Sequence, residues 1–249
     1  MTKRAEAARR RRRAQAMAGS ALAVVAVVAV ASFGIAKLNH GDKKSTPKAN
    51  ANIAVCRYTK PPAASKGAVP RKVTDPPLTA PKKGTVKVAL TTTQGKLTLT
   101  LDRAKAPCTV NSFVSLVGQK YFDKTPCHRL TSSGIFVLQC GDPGGTGSGG
   151  PGYQFPEEGL PPNTGTPITY RAGTVAMANA GPGTNGSQFF LVYKDSPLPP
   201  SYTMFGTISG GKDALLAIAK AGAVDPTGKP AGDGKPKKPV TITVARLVE

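Results

Sequence analysis

Hydrophobic and polar residues alternate along much of the chain after residue 84, which is the pattern of strands with one buried face. The stretch TVKVALTTTQGKLTLTL alternates on both sides of TQG, and this predicts a β-hairpin. Further strands are predicted for segments of the same kind, which are PCHRLTSS, IFVLQCG, GTVAMAN, SQFFLVY, YTMFGTIS and VTITVARLVE.

Two segments show helical spacing instead. The first, APCTVNSFVSLVGQ, has apolar residues on one helical face, namely Val110, Phe113, Val114 and Val117. The second, GKDALLAIAKAG, ends at Gly222, a residue type that commonly terminates helices. About eight strands and two helices predict a mainly β domain over residues 85–249, a closed eight-stranded antiparallel barrel capped by two α-helices.

The chain before residue 85 has a different composition. Residues 1–13 carry seven Lys or Arg, and residues 14–36 are uncharged and mostly apolar. A helix over residues 14–36 would reach about 34 Å, enough to cross the hydrocarbon core of a bilayer. Because positive charge stays on the cytoplasmic side, we expect a single-pass membrane anchor with the later domain outside the cell. A signal peptide cleaved after GIA, which would release a secreted protein, is the alternative.

The segment 37–84 is rich in Pro, Lys, Ala and Thr and offers little to bury, so we expect it to be an extracytoplasmic tether. It also belongs to the most basic part of the chain. The formal net charge is +21, and residues 1–85 hold eighteen Lys or Arg and three acidic residues, against sixteen and ten in the remainder. The excess charge therefore lies mainly outside the predicted domain, and we expect no nucleic-acid partner.

Four cysteines occur in the chain, and they are Cys56, Cys108, Cys127 and Cys140. Disulfides are permitted outside the cytoplasm, so an even number predicts two bridges with three possible connectivities. A zinc site is the weaker alternative, since no cysteine pair has the usual close spacing. We expect no metal and choose Cys108–Cys127 with Cys56–Cys140 as the pairing to be tested.

Familiar catalytic arrangements are missing from the predicted domain. The GTGSGG stretch matches a dinucleotide-binding motif in letters only, because prolines flank it and no helix follows. His128 follows Cys127 directly, and neighbours on a strand point to opposite faces, so we expect a hydrogen-bonded core histidine rather than a Cys–His dyad. Chemistry without an acid, base or metal has to operate through binding.

Three blocks of sequence carry a resemblance to a known family. CHRLTSSGIFVLQCGD, MANAGPGTNGSQFF and YTMFGTI, in this order and at this spacing, resemble the cyclophilin family of peptidyl-prolyl cis-trans isomerases. The cysteines and the basic leader look most like membrane-anchored bacterial cyclophilins. The resemblance covers residues 85–249 and implies a barrel with two helices and a groove for extended, proline-containing peptides.

The resemblance also implies roles for particular residues. Arg129 matches the family arginine that donates to the proline nitrogen, and Phe136 and Gln139 complete the expected catalytic set. Expected peptide-binding residues are Val137, Gly147, Ala178, Asn179, Ala180, Gln188, Phe190, Leu198 and Tyr202. We expect no cofactor, a monomer, and proline-containing segments of exported proteins as partners. A non-catalytic peptide-binding module or holdase, and a binder of anionic polymers, are the competing hypotheses.

The chain departs from the family pattern at four places. Pro197 stands where many members have Trp, Tyr202 stands at the position of the groove His, and Val137 stands where Met is common. The turn in HRLTSSG is one residue longer than usual. These differences affect the expected peptide preference and cyclosporin binding more than isomerisation itself.

Overall fold

The computed structural model describes residues 51–61 and 71–248, which belong to one compact unit. None of the helices in these two ranges has the length and apolar character needed to span a membrane. The leader 1–13 and the anchor predicted over residues 14–36 lie outside the described residues.

The described residues contain two helices and sixteen strands. The helices are α1 (Pro107–Gly118) and α2 (Lys212–Ala221), as the spacing predicts. The strands are β1 (Ile53–Val55), β2 (Thr79–Pro81), β3 (Thr85–Thr92), β4 (Gly95–Asp102), β5 (Thr125–Pro126), β6 (Arg129–Thr131), β7 (Val137–Cys140), β8 (Ile168–Tyr170), β9 (Thr174–Met177), β10 (Phe189–Val192), β11 (Ser196–Leu198), β12 (Met204–Gly210), β13 (Ala223–Val224), β14 (Pro230–Ala231), β15 (Asp233–Pro236) and β16 (Thr241–Val248).

Twelve of the described strands form one antiparallel sheet in the order β14-β13-β15-β6-β7-β10-β9-β12-β4-β3-β16-β5. The predicted strands are the eight that run from β6 to β16 in this order. The sheet curls but does not close, so the prediction of a closed barrel is wrong. The reason is that residues 223–236 add three strands beside β6, and β15 occupies the edge that closure would need.

The curled sheet has an apolar cluster on each face. The larger cluster is the main core, where Leu97, Leu99 and Leu101 of β4 are buried with residues of both helices. On β10, Phe189 points into this core, and its neighbour Phe190 points into a smaller cluster on the opposite face. Because side chains alternate between the two faces, β7 and β10 form the floor of a site on the second face.

Part of the predicted tether is folded. β1 pairs with β2, with Ala54 opposite Ala80, and these two residues are buried with Cys56 in a small cluster. Tyr58 Oη also donates to the carbonyl of Cys108, 3.0 Å away, at the start of α1. The compact unit therefore begins before the predicted boundary at residue 85.

Two disulfides join residues that the fold brings together. Cys56 bonds to Cys108, which links β1 to α1, and Cys127 bonds to Cys140, which links the start of β6 to the end of β7. The predicted pairing of Cys108 with Cys127 and of Cys56 with Cys140 is wrong. The antiparallel pairing of β6 with β7 brings Cys127 beside Cys140, and β1 packs against the start of α1.

Candidate active site

A cavity of about 130 Å³ lies on the second face of the sheet, beside β6, β7 and β10. Eight of the predicted site residues line it together with one that was not predicted, Ile135. The lining residues are Arg129, Ile135, Val137, Gln139, Ala178, Asn179, Phe190, Leu198 and Tyr202.

Strand register sets the centre of this cavity. Arg129 on β6 stands opposite Gln139 on β7, and Gln139 stands opposite Phe190 on β10. Since residues opposite one another across neighbouring strands share a face, one cationic, one amide and one aromatic side chain lie in a row. The cavity therefore has a charged end and an apolar end, with Gln139 between them.

The apolar end is formed by Val137, Phe190 and Leu198, all of which are buried. The Tyr202 ring stands nearly perpendicular to the ring of Phe190, with the ring centroids 5.5 Å apart. The Tyr170 hydroxyl donates to the carbonyl of Tyr202 at 3.0 Å and fixes that segment. This end can hold a small apolar ring.

A chain of hydrogen bonds leads away from the charged end. The Nη1 of Arg129 donates to Oε1 of Gln139 at 3.3 Å, and Nε2 of Gln139 donates to Oε1 of Gln188 at 2.9 Å. The Gln188 amide in turn donates to the carbonyls of Gly147 and Gly149, at 2.9 and 3.0 Å. The orientation of each side-chain amide is thereby fixed by its neighbour.

Asp233 makes the strongest contact to Arg129. Its Oδ1 accepts from Nε at 2.8 Å, and its Oδ2 accepts from Nη2 at 2.6 Å. These hydrogen bonds raise the pKa of Arg129 above its usual value and lower the pKa of the Asp233 carboxyl. The guanidinium is therefore charged at any pH at which the protein is folded.

The glycine-rich loop after β7 is organised by one carboxylate. Asp142 accepts hydrogen bonds from the backbone N–H groups of Gly144, Thr146 and Gly147, at 2.8 to 2.9 Å. Gly149 has no room for a side chain, because a Cβ there would overlap the Asp142 carboxylate. The loop thus supports Gln188, and no helix follows GTGSGG, as the sequence predicts.

Three residues predicted to bind peptide do not line the cavity. Gly147 and Gln188 belong to its hydrogen-bonded support, and Ala180 is exposed, with its N–H donated to Oγ1 of Thr184 at 2.8 Å. Gly147 instead lines a second cavity of about 350 Å³, which shares Arg129 and Gln139 with the first. Asn179 lines the first cavity, while its side-chain amide donates to the carbonyl of Ser201 at 2.8 Å.

Phe136 also lies outside the cavity. Its ring packs edge-on against Tyr193, with the centroids 5.9 Å apart, and Lys194 Nζ lies 4.5 Å from its centroid. Ile135 takes the place expected for Phe136, because residues 135, 137 and 139 point to one face of the extended chain. The alternation in IFVLQ was the signal that could have identified Ile135.

His128 differs from its prediction as well. The residue is half-buried, but neither ring nitrogen has a hydrogen-bond partner among the described residues. Burial lowers the pKa of His128, so the ring is neutral near pH 7. The loop at Gly147 covers the ring closely, since a Cβ at Gly147 would lie 3.5 Å from Nε2.

Comparison with known proteins identifies relatives that cover most of the chain. A family model for cyclophilin type peptidyl-prolyl cis-trans isomerases matches residues 86–247. A probable peptidyl-prolyl cis-trans isomerase B of Mycobacterium leprae is 49% identical over 206 residues, which cover 79% of this chain and 68% of that protein. The corresponding Mycobacterium tuberculosis protein is 48% identical over 210 residues, covering 80% and 66%.

The similar solved structures are also of a cyclophilin type peptidyl-prolyl cis-trans isomerase. A crystal structure of a Cryptosporidium parvum cyclophilin type peptidyl-prolyl cis-trans isomerase is similar with a TM-score of 0.56 and 29% identity, covering 67% of this chain and 99% of that one. A structure of the same protein in the presence of the dipeptide Ala-Pro has a TM-score of 0.55 and 30% identity, covering 66% and 99%.

Proposed function

Because the chain belongs to the cyclophilin family and is a peptidyl-prolyl cis-trans isomerase, we propose that it works by stabilising a twisted X-Pro bond with Arg129. The peptide bond has partial double-bond character, and rotation about it costs about 18–20 kcal/mol. Unaided exchange at proline takes tens to hundreds of seconds. The enzyme has to bind the rotated state more tightly than either planar state.

Rotation changes the proline nitrogen from a poor acceptor to a good one. In the planar imide its lone pair is delocalised into the carbonyl, and in the twisted state the lone pair is free to accept a hydrogen bond. A charged donor that is fixed beside the nitrogen therefore stabilises the transition state selectively. No covalent step and no proton transfer are required.

Arg129 has donors to spare for this purpose. A guanidinium carries five N–H groups, and three of them are directed to Asp233 and Gln139. Among the described residues the other two, one on Nη1 and one on Nη2, have no hydrogen-bond acceptor, and Arg129 lines the cavity. The observation that carries the proposal is this charged fork beside an apolar floor of Val137, Phe190 and Leu198.

The remaining lining residues would hold the substrate. The proline ring fits the apolar end, and Ile135 extends the same wall. Gln139 lies between that end and Arg129, where its amide can hold a carbonyl group next to the proline while the other side rotates. We infer that the backbone of Ala178 and Asn179 binds the extended peptide at the opposite wall.

We further propose that the substrates are proline-containing segments of exported proteins. Support comes from the basic leader and uncharged run over residues 1–36, and from two disulfides, which are typical of proteins outside the cytoplasm. The enzyme would be held at the membrane through residues 14–36, with Cys56 and the domain that follows on the outer side.

The role of Arg129 is tested with Arg129→Ala. We expect kcat/KM for exchange of an Ala-Pro peptide to fall by about 10²–10³, equivalent to about 3–4 kcal/mol of transition-state stabilisation. Equilibrium peptide affinity should change far less. Arg129→Lys should restore only part of the rate, since an ammonium lacks the planar fork.

Arg246→Ala is the matched control, because Arg246 forms the other described ion pair, with Asp123, and does not line the cavity. Thermal melting of each variant establishes that it is folded. Near wild-type turnover in folded Arg129→Ala would refute the mechanism. Peptide binding by the wild-type protein without any acceleration would instead indicate a holdase.

A further inference from the structure

We propose that Asp233 is a positioning residue for isomerisation, which holds the Arg129 guanidinium so that its free N–H groups are directed into the cavity. The inference rests on the proposed role of Arg129 and adds a residue to it. Asp233 does not line the cavity, so it would act on the substrate only through Arg129.

The geometry of the pair is bidentate. Nε and Nη2 of Arg129 donate to separate carboxylate oxygens, at 2.8 and 2.6 Å, and this parallel arrangement fixes the plane of the guanidinium. The only other side-chain hydrogen bond that the described residues give Arg129 is the 3.3 Å bond to Gln139. That bond is long, so without Asp233 the guanidinium would be weakly held.

The fold brings Asp233 to this position across 104 residues of sequence. Asp233 pairs with Thr131 and Gly234 pairs with Leu130, which places β15 directly beside the strand that carries Arg129. The carbonyl of Gly232 also accepts from the N–H of Ser132 at 2.7 Å. A Cβ at Gly234 would collide with the carbonyl of Val224, so glycine is needed there for β15 to lie against β13.

Exposure of the pair argues for a positioning role over a stabilising one. The Arg129 side chain is 40% exposed and that of Asp233 is 55% exposed, and exposed ion pairs contribute little to stability. The bidentate pair nevertheless removes rotational freedom from a long side chain at the edge of the site. A preorganised donor needs no reorganisation during bond rotation, which is where it accelerates the reaction.

The pair also divides the guanidinium into two parts. Nε and one N–H of Nη2 donate to Asp233, and Nη1 donates to Gln139, which lines the cavity. Because Gln139 is fixed in turn by Gln188, the acceptor of the Nη1 hydrogen bond has a defined position. Asp233 thus lies at the outer end of a series of hydrogen-bonded side chains that continues through Arg129 and Gln139 to Gln188.

Asp233→Asn in the full-length chain tests the inference. An amide of the same shape keeps one acceptor and places an N–H₂ group against the guanidinium, so bidentate binding is lost. We expect kcat for an Ala-Pro peptide to fall about tenfold, with KM changed by less than about twofold. Asp233→Ser provides a second removal of the carboxylate, and Asp233→Glu should restore part of kcat.

Two controls distinguish an effect on the position of Arg129 from a loss of stability and from an effect that does not pass through Arg129. Arg246→Gln removes the other described ion pair and should leave kcat unchanged, with a melting temperature similar to that of Asp233→Asn. In the Arg129→Ala background, Asp233→Asn should have no additional effect, because Asp233 acts through Arg129.

The possible failures are distinguishable. Unchanged or increased kcat in both Asp233→Asn and Asp233→Ser, with Arg129→Ala impaired, would overturn the inference and leave the proposed function intact. A further loss of kcat in the Arg129→Ala background would also overturn it. If Arg129→Ala itself retains turnover, the proposed mechanism and this inference are both wrong.

Discussion

Ile135 shows how a single residue can depart from a strong family pattern. The resemblance assigns the wall of the cavity to Phe136, whereas the structure places Ile135 there with Val137 and Gln139. By the sequence resemblance, the turn before it is one residue longer than is usual in the family. The N–H of Ile135 donates to the carbonyl of Ser133 at 2.8 Å, which brings the chain back into the strand with Ile135 facing the site.

Exchanging each of these neighbours for alanine gives a direct test. Ile135→Ala should weaken binding of an Ala-Pro peptide by roughly fivefold, about 1 kcal/mol, because part of the apolar wall is lost. Phe136→Ala should have a smaller effect on affinity, since its ring contacts Tyr193 and Lys194 instead. Peptide titration of both folded variants measures the difference. A larger effect of Phe136→Ala would favour the family pattern over the observed geometry.

Other residue-scale features could not be read from the sequence for physical reasons. Asp233 lies far from Arg129 along the chain, and only the pairing of β15 with β6 brings them together. The unpartnered nitrogens of His128 depend on how the loop at Gly147 covers the ring. By contrast, four residues that match the family pattern lie within predicted strands or beside them, and they do line one cavity. They are Arg129, Gln139, Phe190 and Leu198.

At the scale of elements, strong periodicity was a reliable guide. Both helices and the hairpin of β3 and β4 form where the pattern predicts them. The missed strands have two to four residues and include β1, β2 and β13 to β15, which are too short for alternation to be visible. Their stability comes from pairing and cross-links, and a single sequence does not display either.

The two disulfides should have separable effects on stability and catalysis. Replacing Cys127 and Cys140 by alanine opens a link with a sequence separation of 13 residues and should cost about 3 kcal/mol of unfolding free energy. Replacing Cys56 and Cys108 opens a separation of 52 residues and should cost about 4 kcal/mol. Only the first change should also lower kcat/KM, because Cys127 and Cys140 flank the strands that carry Arg129 and Gln139.

For each double variant, denaturant unfolding measures the unfolding free energy, and peptide exchange on the same preparation measures kcat/KM. Equal catalytic losses in both would show that the Cys127–Cys140 link has no special relation to the site. Peptide mapping without reductant checks the pairing itself, and a Cys108–Cys127 bridge would contradict the structure.

At the scale of the whole molecule, the fold class could be predicted and closure of the barrel could not. Eight alternating strands indicate a curved antiparallel sheet, and the eight central strands are those predicted. Whether its edges meet depends on which segment covers β6, and residues 223–236 show no pattern that indicates this. The folded part of the tether was missed because its Pro- and Lys-rich composition resembles that of a linker.

Location is the whole-molecule property that we predict from residues 1–36. Full-length protein should fractionate with membranes, and protease added to intact cells should remove the domain from residue 51 onward. A domain that is protected in intact cells and cleaved after lysis would contradict this topology. Recovery of soluble protein that begins at or near Lys37 would instead indicate a cleaved signal peptide.

The Cys56–Cys108 bond has a mechanical consequence. A pull applied to the chain ahead of β1 passes from Cys56 across the sulfur atoms directly into α1. Residues 57–107, which include the whole β3–β4 hairpin, are therefore bypassed by the load. Fully extended, the 52-residue separation corresponds to roughly 180 Å of chain that tension cannot draw out while the bond is intact. Tension applied at the N-terminal side therefore reaches α1 without first drawing β3 and β4 out of the sheet.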